Sequence, residues 1–338
     1  MKAILIDKFV EKIEDIKISE VPDLIPKDDE ALVHIEAAGA RGKHQNNRSL
    51  VIPPFTLGLE FAGTVISSPS SSHLSPGSRV FGGSLGSYAS HILISPSLLH
   101  PIPPTWTCAQ AASLAATAPV SYGALILRGR LKAGETVLIH ASAGGLGLAA
   151  IQIAKAAGAT VIATASSSKK LSIAKRFGAD ACINYSSEKG NEKWTDEVLK
   201  VTGGKGVDVV FDTVGLVGES LRCLKQKGRV LVVGFAGRDA DKGDLESVAM
   251  NRVLLKQAQI IGYRYGETNR IDPTETSQIW SALQPLWESG KLKPAVYEEE
   301  YRGLESVVRA LKDLEGRKVW GKAVILMESG DSMERPKL

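Results

Sequence analysis

The chain changes its hydrophobic rhythm twice. From residue 137 onward, short apolar runs rich in β-branched residues recur at 137–141, 160–165, 181–184, 207–212, 229–234 and 259–264. Between them lie stretches with helical spacing, at 146–157, 169–177, 192–201 and 217–225. In the second of these, Leu171, Ala174 and Phe177 mark one face and Gly178 supplies the stop. Strand and helix alternating at this length predict an α/β fold with a parallel, doubly wound sheet. Residues 1–105 read differently. Short strand patterns at 2–6, 16–21, 31–37, 79–81 and 87–94 come without a helix of any length, and the Ser/Pro-rich 67–77 reads as an exposed loop. This part predicts a small β-barrel-like unit. Beyond 266, Ile279, Leu283, Leu286 and Trp287 stripe one amphipathic helix, and Leu304, Val307, Val308, Leu311 and Leu314 another. A strand near 319–327 and a polar tail follow.

The sharpest local signal is 137–155, VLIHASAGGLGLAAIQIAK. An apolar strand runs into the turn Ala141-Ser142-Ala143-Gly144-Gly145-Leu146-Gly147, and an Ala-rich buried helix follows, ending at Gly158. Glycines let the backbone turn sharply and approach a ligand closely. The helix start then offers N–H groups and a positive dipole end to a diphosphate. The turn is A-x-x-G-x-x-G rather than G-x-G-x-x-G, so its strand–turn–helix context carries more weight than the glycines alone.

Composition narrows the classes. The 338 residues suggest about two domains. A net charge of +4 with scattered Lys and Arg leaves no nucleic-acid footprint. Three distant cysteines, Cys108, Cys182 and Cys223, argue for a reducing compartment, so a cytoplasmic protein is expected. The first residues have no signal-peptide apolar core. One uncharged run, 108–127, reaches membrane-spanning length but is diluted by Gln110, Ser113, Thr117 and Ser121 and broken by Pro119. It reads as a buried helix at a domain junction.

Several stretches together resemble a family. They are FTLGLEFAGTV (55–65), SYASHILISPSLLHPIP (87–103), LKAGETVLIHASAGGLGLAAIQIAKAAGATVIATA (131–165), GADACINY (178–185), GVDVVFDTVG (206–215), GRVLVVGFAG (228–237), LLKQAQIIGYRYGE (254–267) and RKVWGKAVI (317–325). In order and spacing the chain resembles the zinc-independent quinone oxidoreductases of the medium-chain dehydrogenase/reductase superfamily. The resemblance implies a GroES-like β-barrel-type catalytic domain, residues 1–120 and 266–338, wrapped around a doubly wound Rossmann domain, residues 121–265. It also implies a homodimer paired along the edge strand 258–263.

The cofactor is read at the end of the second strand, where an Asp or Glu binds the ribose 2′-OH of NAD. Here the chain reads Thr164-Ala165-Ser166-Ser167-Ser168-Lys169-Lys170, with no carboxylate. Hydroxyls and ammonium groups suit a 2′-phosphate, so NADPH is expected. By resemblance, Ser167 and Lys170, beside Ser166, fall on the 2′-phosphate contacts, Tyr185 on an adenosine-side tyrosine, and Arg317 on an arginine reaching that region. Ala143, Gly144, Gly145, Leu146 and Gly147 fall on the diphosphate turn. Thr213-Val214-Gly215 and Gly234-Phe235-Ala236 correspond to backbone lining the nicotinamide and its ribose.

No metal is expected. Leu59 stands in GLE where zinc relatives carry a histidine, and three cysteines cannot form a four-cysteine site. A substrate must then accept hydride without a Lewis acid, as a quinone or a C=C conjugated to a carbonyl does. Its developing anion needs hydrogen-bond donors. Candidates are Tyr122, matching a family tyrosine near the nicotinamide or else core packing; Tyr265, with Arg264 beside it; and His44, a donor or else a solvated loop histidine. The segment ARGKHQNN (40–47) departs from relatives. An enoyl-thioester reductase and a non-catalytic NADPH-binding protein are the alternatives. The final Pro336-Lys337-Leu338 resembles a peroxisomal address, which makes the peroxisome the alternative location. Nothing suggests a nucleic-acid or membrane partner.

Overall fold

The computed structural model describes residues 1–41, 51–186, 193–238, 243–244 and 246–327. His44 and the Pro336–Leu338 tail, both singled out in the sequence, lie outside the described residues. The chain forms two compact units, Met1–Ala116 with Pro294–Leu338, and Thr117–Lys293.

The second unit is built on six parallel strands: Thr136–Ile139, Thr160–Ala165, Ala181–Asn184, Val207–Asp212, Leu224–Val232 and Gln259–Gly262. Numbered along the chain, they lie side by side in the order 3-2-1-4-5-6. This is a doubly wound sheet, and the strand order reverses between the first and fourth strands. Val137, Leu138, Ile139, Val161, Val209, Val210 and Phe211 are buried, which explains why these strands read as continuous apolar runs rather than alternating ones.

The predicted helices 146–157, 169–177 and 192–201 are present as Gly145–Ala156, Ser168–Arg176 and Trp194–Val201. The predicted helix 217–225 ends early, at Ser220. Its last apolar residue, Leu224, instead opens the long fifth strand, Leu224–Val232, and is buried there. The unit also ends later than residue 265. The helix Pro273–Glu288 buries Ile279 and Leu283 and packs on the helix Thr117–Tyr122. Beyond it, the Gln152 side chain bonds both the N–H and the carbonyl of Lys293, at 2.8 and 3.1 Å. These contacts tie 266–293 to the second unit rather than to the first.

In the first unit a seven-stranded, mostly antiparallel sheet holds the core. Ala31–Gly39 is central, flanked by Phe61–Ser67, His91–Ile94 and Val324–Leu326. The helix Val307–Glu315 buries Val307, Ala310 and Leu311 against this core. Lys322 pairs with the fully buried Glu60, whose other oxygen accepts the Ala116 N–H at 3.1 Å. Glycine is required at position 39, because a Cβ there would stand 2.5 Å from the Glu60 side chain.

The stretch Cys108–Arg128 is long and apolar enough by composition to cross a membrane, but 67% of its most apolar window is buried inside the protein. That burial is what a core helix shows.

Candidate functional site: a dinucleotide cradle

At the carboxyl end of the first strand the chain makes a tight turn. Ala141 adopts a left-handed conformation, φ 45°, unusual for a residue with a side chain. Gly144 then starts the helix Gly145–Ala156, and no side chain caps that start. At Gly147 a Cβ would stand 2.6 Å from both the Ala141 carbonyl oxygen and the Ser142 Cα, so only glycine lets the helix sit this close to the turn. Ser142 donates from its hydroxyl and its N–H to the Thr164 carbonyl, at 2.9 and 3.1 Å. That pair of bonds locks the turn to the end of the second strand. Ser121, beside Tyr122, donates to the Leu146 carbonyl at 3.0 Å and steadies the first helical turn from the other side.

The second strand delivers Ser166 and Ser167. Ser167 caps the helix Ser168–Arg176 by accepting the Lys170 N–H at 3.4 Å, which brings its hydroxyl and Lys170 to one helix start. Tyr185, at the end of the third strand, is exposed and donates its N–H to the Ala165 carbonyl at 3.2 Å. No acidic residue stands in 164–170.

The fourth strand ends in Asp212, whose buried carboxylate accepts the N–H groups of Val214, Gly215 and Leu216 at 2.8, 3.0 and 2.6 Å. The Thr213 and Val214 carbonyls in turn accept from Ala236 and Gly237, both at 2.9 Å. The turns after the fourth and fifth strands are therefore one hydrogen-bonded block. Phe235 projects from it, half exposed, and Arg238 lies over it, donating to the Gly215 carbonyl at 2.9 Å.

Tyr122 is partly buried at the start of the helical turn Gly123–Arg128, and burial raises its hydroxyl above the usual tyrosine value. Tyr265 accepts from the Trp280 indole N–H at 2.8 Å, and burial pushes its hydroxyl up to about 12. Both stay protonated at neutral pH, so they can donate hydrogen bonds but not act as bases. Arg317 belongs to the first unit, where it is exposed with φ 55° just past the helix Val307–Glu315. Two residues that spacing did not reveal stand out. Asp212 carries the turn after the fourth strand, and its signal was an Asp closing an apolar strand before a glycine turn. His140, fully buried behind the glycine turn, had no signal beyond being polar in an apolar run.

A 3-2-1-4-5-6 parallel sheet with its glycine turn at the strand-order reversal, in a chain that also forms a predominantly antiparallel β unit, is the topology of a Rossmann-type dinucleotide fold joined to a β-rich unit. Residues 27–104 match the alcohol dehydrogenase GroES-like domain, and residues 145–283 match the zinc-binding dehydrogenase family. Quinone oxidoreductase-like protein 2 of Rattus norvegicus is 36% identical over 300 residues, covering 85% of this chain and 80% of the relative. The Escherichia coli quinone oxidoreductase, solved in complex with NADPH, superposes with a TM-score of 0.85 at 28% identity, covering 96% of this chain and all of that one. The CurK enoyl reductase superposes at 0.83 with 25% identity, covering 97% and 99%. The chain belongs to the quinone oxidoreductase family, and it is an oxidoreductase of the medium-chain superfamily.

The family name mentions zinc, but the donors among the described residues do not fit it. Among the described residues no three His, Cys, Asp or Glu side chains converge. Glu60, next to Leu59, is already paired with Lys322. The Cys108 thiol, pushed up to about 11 by burial, donates to Glu36 at 3.2 Å.

Proposed function

We propose that the chain is a metal-independent, NADPH-dependent reductase of quinones or of the conjugated C=C of α,β-unsaturated carbonyl compounds. The observation that carries this reading is the end of the second strand. There the place of the NAD-selecting carboxylate is taken by Ser166, Ser167 and Lys170, gathered at one helix start. Two hydroxyls and an ammonium group complement a 2′-phosphate dianion, and a helix N-terminus adds to the attraction.

Bound NADPH supplies a hydride. The chain's own part is to hold and orient. The uncapped start at Gly144, Gly145 and Leu146 receives the diphosphate, and Gly147 keeps that helix against the strand. Tyr185 flanks the adenosine side. The block of Thr213, Val214, Gly215, Gly234, Phe235 and Ala236 lines the ribose and ring, with Asp212 fixing its backbone. Tyr122 and Tyr265, kept protonated by burial, are the donors we assign to the oxygen on which negative charge develops. The likeness to an enoyl reductase keeps acyl thioesters as the second substrate class.

A second copy of the chain is the partner we assign to the sheet edge. The sixth strand, Gln259–Gly262, ends the sheet, and Met250, Leu254 and Leu255 on the helix just before it are about 70% exposed. An apolar open edge of this kind is an aggregation hazard unless it is paired.

The test is turnover. Purified protein mixed with NADPH and a panel of quinones, enones and enoyl thioesters should lose absorbance at 340 nm with at least one acceptor, and faster than with NADH. NADPH binding without turnover of any acceptor would overturn the reductase reading in favour of a binding protein.

A further inference from the structure

His140 is buried, yet its ring meets residues from two separate elements of the cradle, the second strand and the short helix Val217–Ser220. Its backbone N–H donates to the Phe211 carbonyl at 3.1 Å, extending the pairing of the first and fourth strands. Ring Nδ1 lies 3.0 Å from the Thr164 hydroxyl, and Nε2 lies 3.0 Å from the Ser220 hydroxyl. The Trp194 ring stands edge-on at 5.0 Å and closes the remaining side.

The partners give this arrangement its meaning. Thr164 leads directly into Ser166, Ser167 and Lys170, and its carbonyl is the one that holds Ser142 of the glycine turn. Ser220 ends the short helix Val217–Ser220, which starts from the Asp212-held turn on the nicotinamide side. One imidazole therefore bridges the two ends of the site at full hydrogen-bond quality.

A neutral imidazole has one donor and one acceptor, and a hydroxyl can be either, so both contacts are satisfied in one tautomer. Burial pushes the ring's pKa below the usual histidine value, while the Asp212 and Glu219 carboxylates oppose that shift. A protonated ring would force both hydroxyls to accept and would leave a charge in the interior.

We propose that His140 is a positioning residue for the dinucleotide. Its two ring bonds set the separation between the adenosine-side turn at Ser166–Lys170 and the ribose-side turn at Thr213–Gly215, so that NADPH meets both at once. The inference rests on the reading of this cradle as an NADPH site. It makes a distinctive demand, because a ligand that occupies one end only does not need the two ends in register.

The experiment measures binding of NADPH and of adenosine 2′,5′-bisphosphate, the adenosine half alone, to wild type, His140→Phe, His140→Gln and Ser220→Ala. His140→Phe should raise the NADPH dissociation constant about tenfold, the size of a buried hydrogen-bonded pair lost, and leave the half-ligand within about twofold. His140→Gln, which can still donate and accept, should recover part of the loss. Ser220→Ala removes the Nε2 partner without touching the imidazole. It should reproduce the split in smaller measure, and it keeps the test open if the phenylalanine variant does not fold. Parallel loss of both ligands with falling thermal stability would assign His140 a merely structural role and overturn the proposal, as would unchanged NADPH binding in all three variants. Wild-type protein that binds neither ligand would instead overturn the NADPH reading itself.

Discussion

The carboxylate of Asp212 holds the backbone N–H of Gly215 at 3.0 Å and those of Val214 and Leu216 beside it. A single side chain thus fixes the turn after the fourth strand, the one we assign to the nicotinamide end. Replacing it by alanine leaves three N–H groups without their acceptor, each worth about 1–3 kcal/mol where water cannot substitute. Asp212→Ala should raise the NADPH dissociation constant by about tenfold or more. Asp212→Asn, which keeps one acceptor oxygen, should fall between it and wild type. Fluorescence titration checks this, and equal affinities for all three proteins would sink the assignment.

The buried pair Glu60–Lys322 makes a prediction about stability in the first unit. Removing one charge of a buried pair strands the other, at about 3–5 kcal/mol. Lys322→Met should therefore lower the urea-unfolding free energy by that order. Adding Glu60→Gln, which still accepts from Ala116 but carries no charge, should restore most of it. A double variant no more stable than the single one would contradict the pairing.

Acid sensitivity follows from His100. Burial beside Phe81 holds its pKa down to about 4, against about 6.5 for an unfolded histidine. Below about pH 6.5 the unfolded chain binds a proton that the folded chain refuses, so stability falls with pH down to about 4 and is unaffected above 6.5. His91 and His140 are shifted in the same direction. Since His100 is partly exposed, its share is on the order of 2 kcal/mol. Urea unfolding at pH 7 and pH 5 should show a shallower loss for His100→Gln than for wild type.

The open sheet edge is tested by charge. Leu254→Glu together with Ile260→Glu should shift the mass in solution from dimer to monomer while leaving the fold intact, because Leu254 is 76% and Ile260 39% exposed. Light scattering reads the mass directly. A wild-type monomer would refute the pairing.

The parallel sheet was legible because each strand is a local apolar run and each helix a local period. The glycine turn was legible because its requirement is local as well, a missing Cβ at Gly147 against the backbone six residues back. The rest depends on long-range contacts. Thr164 and Ser220 stand 24 and 80 residues from His140, and no spacing rule brings them together. The apolar residues of 221–224 carried no mark to separate a helix end from a strand start; burial of Leu224 in the sheet decided it. The unit boundary at Lys293 rests on the Gln152 side chain, which the pattern of 266–293 could not announce.

Hydroxyl and cationic groups at the end of the second strand are proposed to hold a 2′-phosphate. Equilibrium binding of NADPH and NADH to wild type and Lys170→Ala tests it most directly. Wild type should prefer NADPH by at least about tenfold, and Lys170→Ala should lose about 1.5–3 kcal/mol of NADPH affinity while its NADH affinity stays nearly unchanged. NADH bound as tightly as NADPH by wild type, or both weakened equally in the variant, would contradict it.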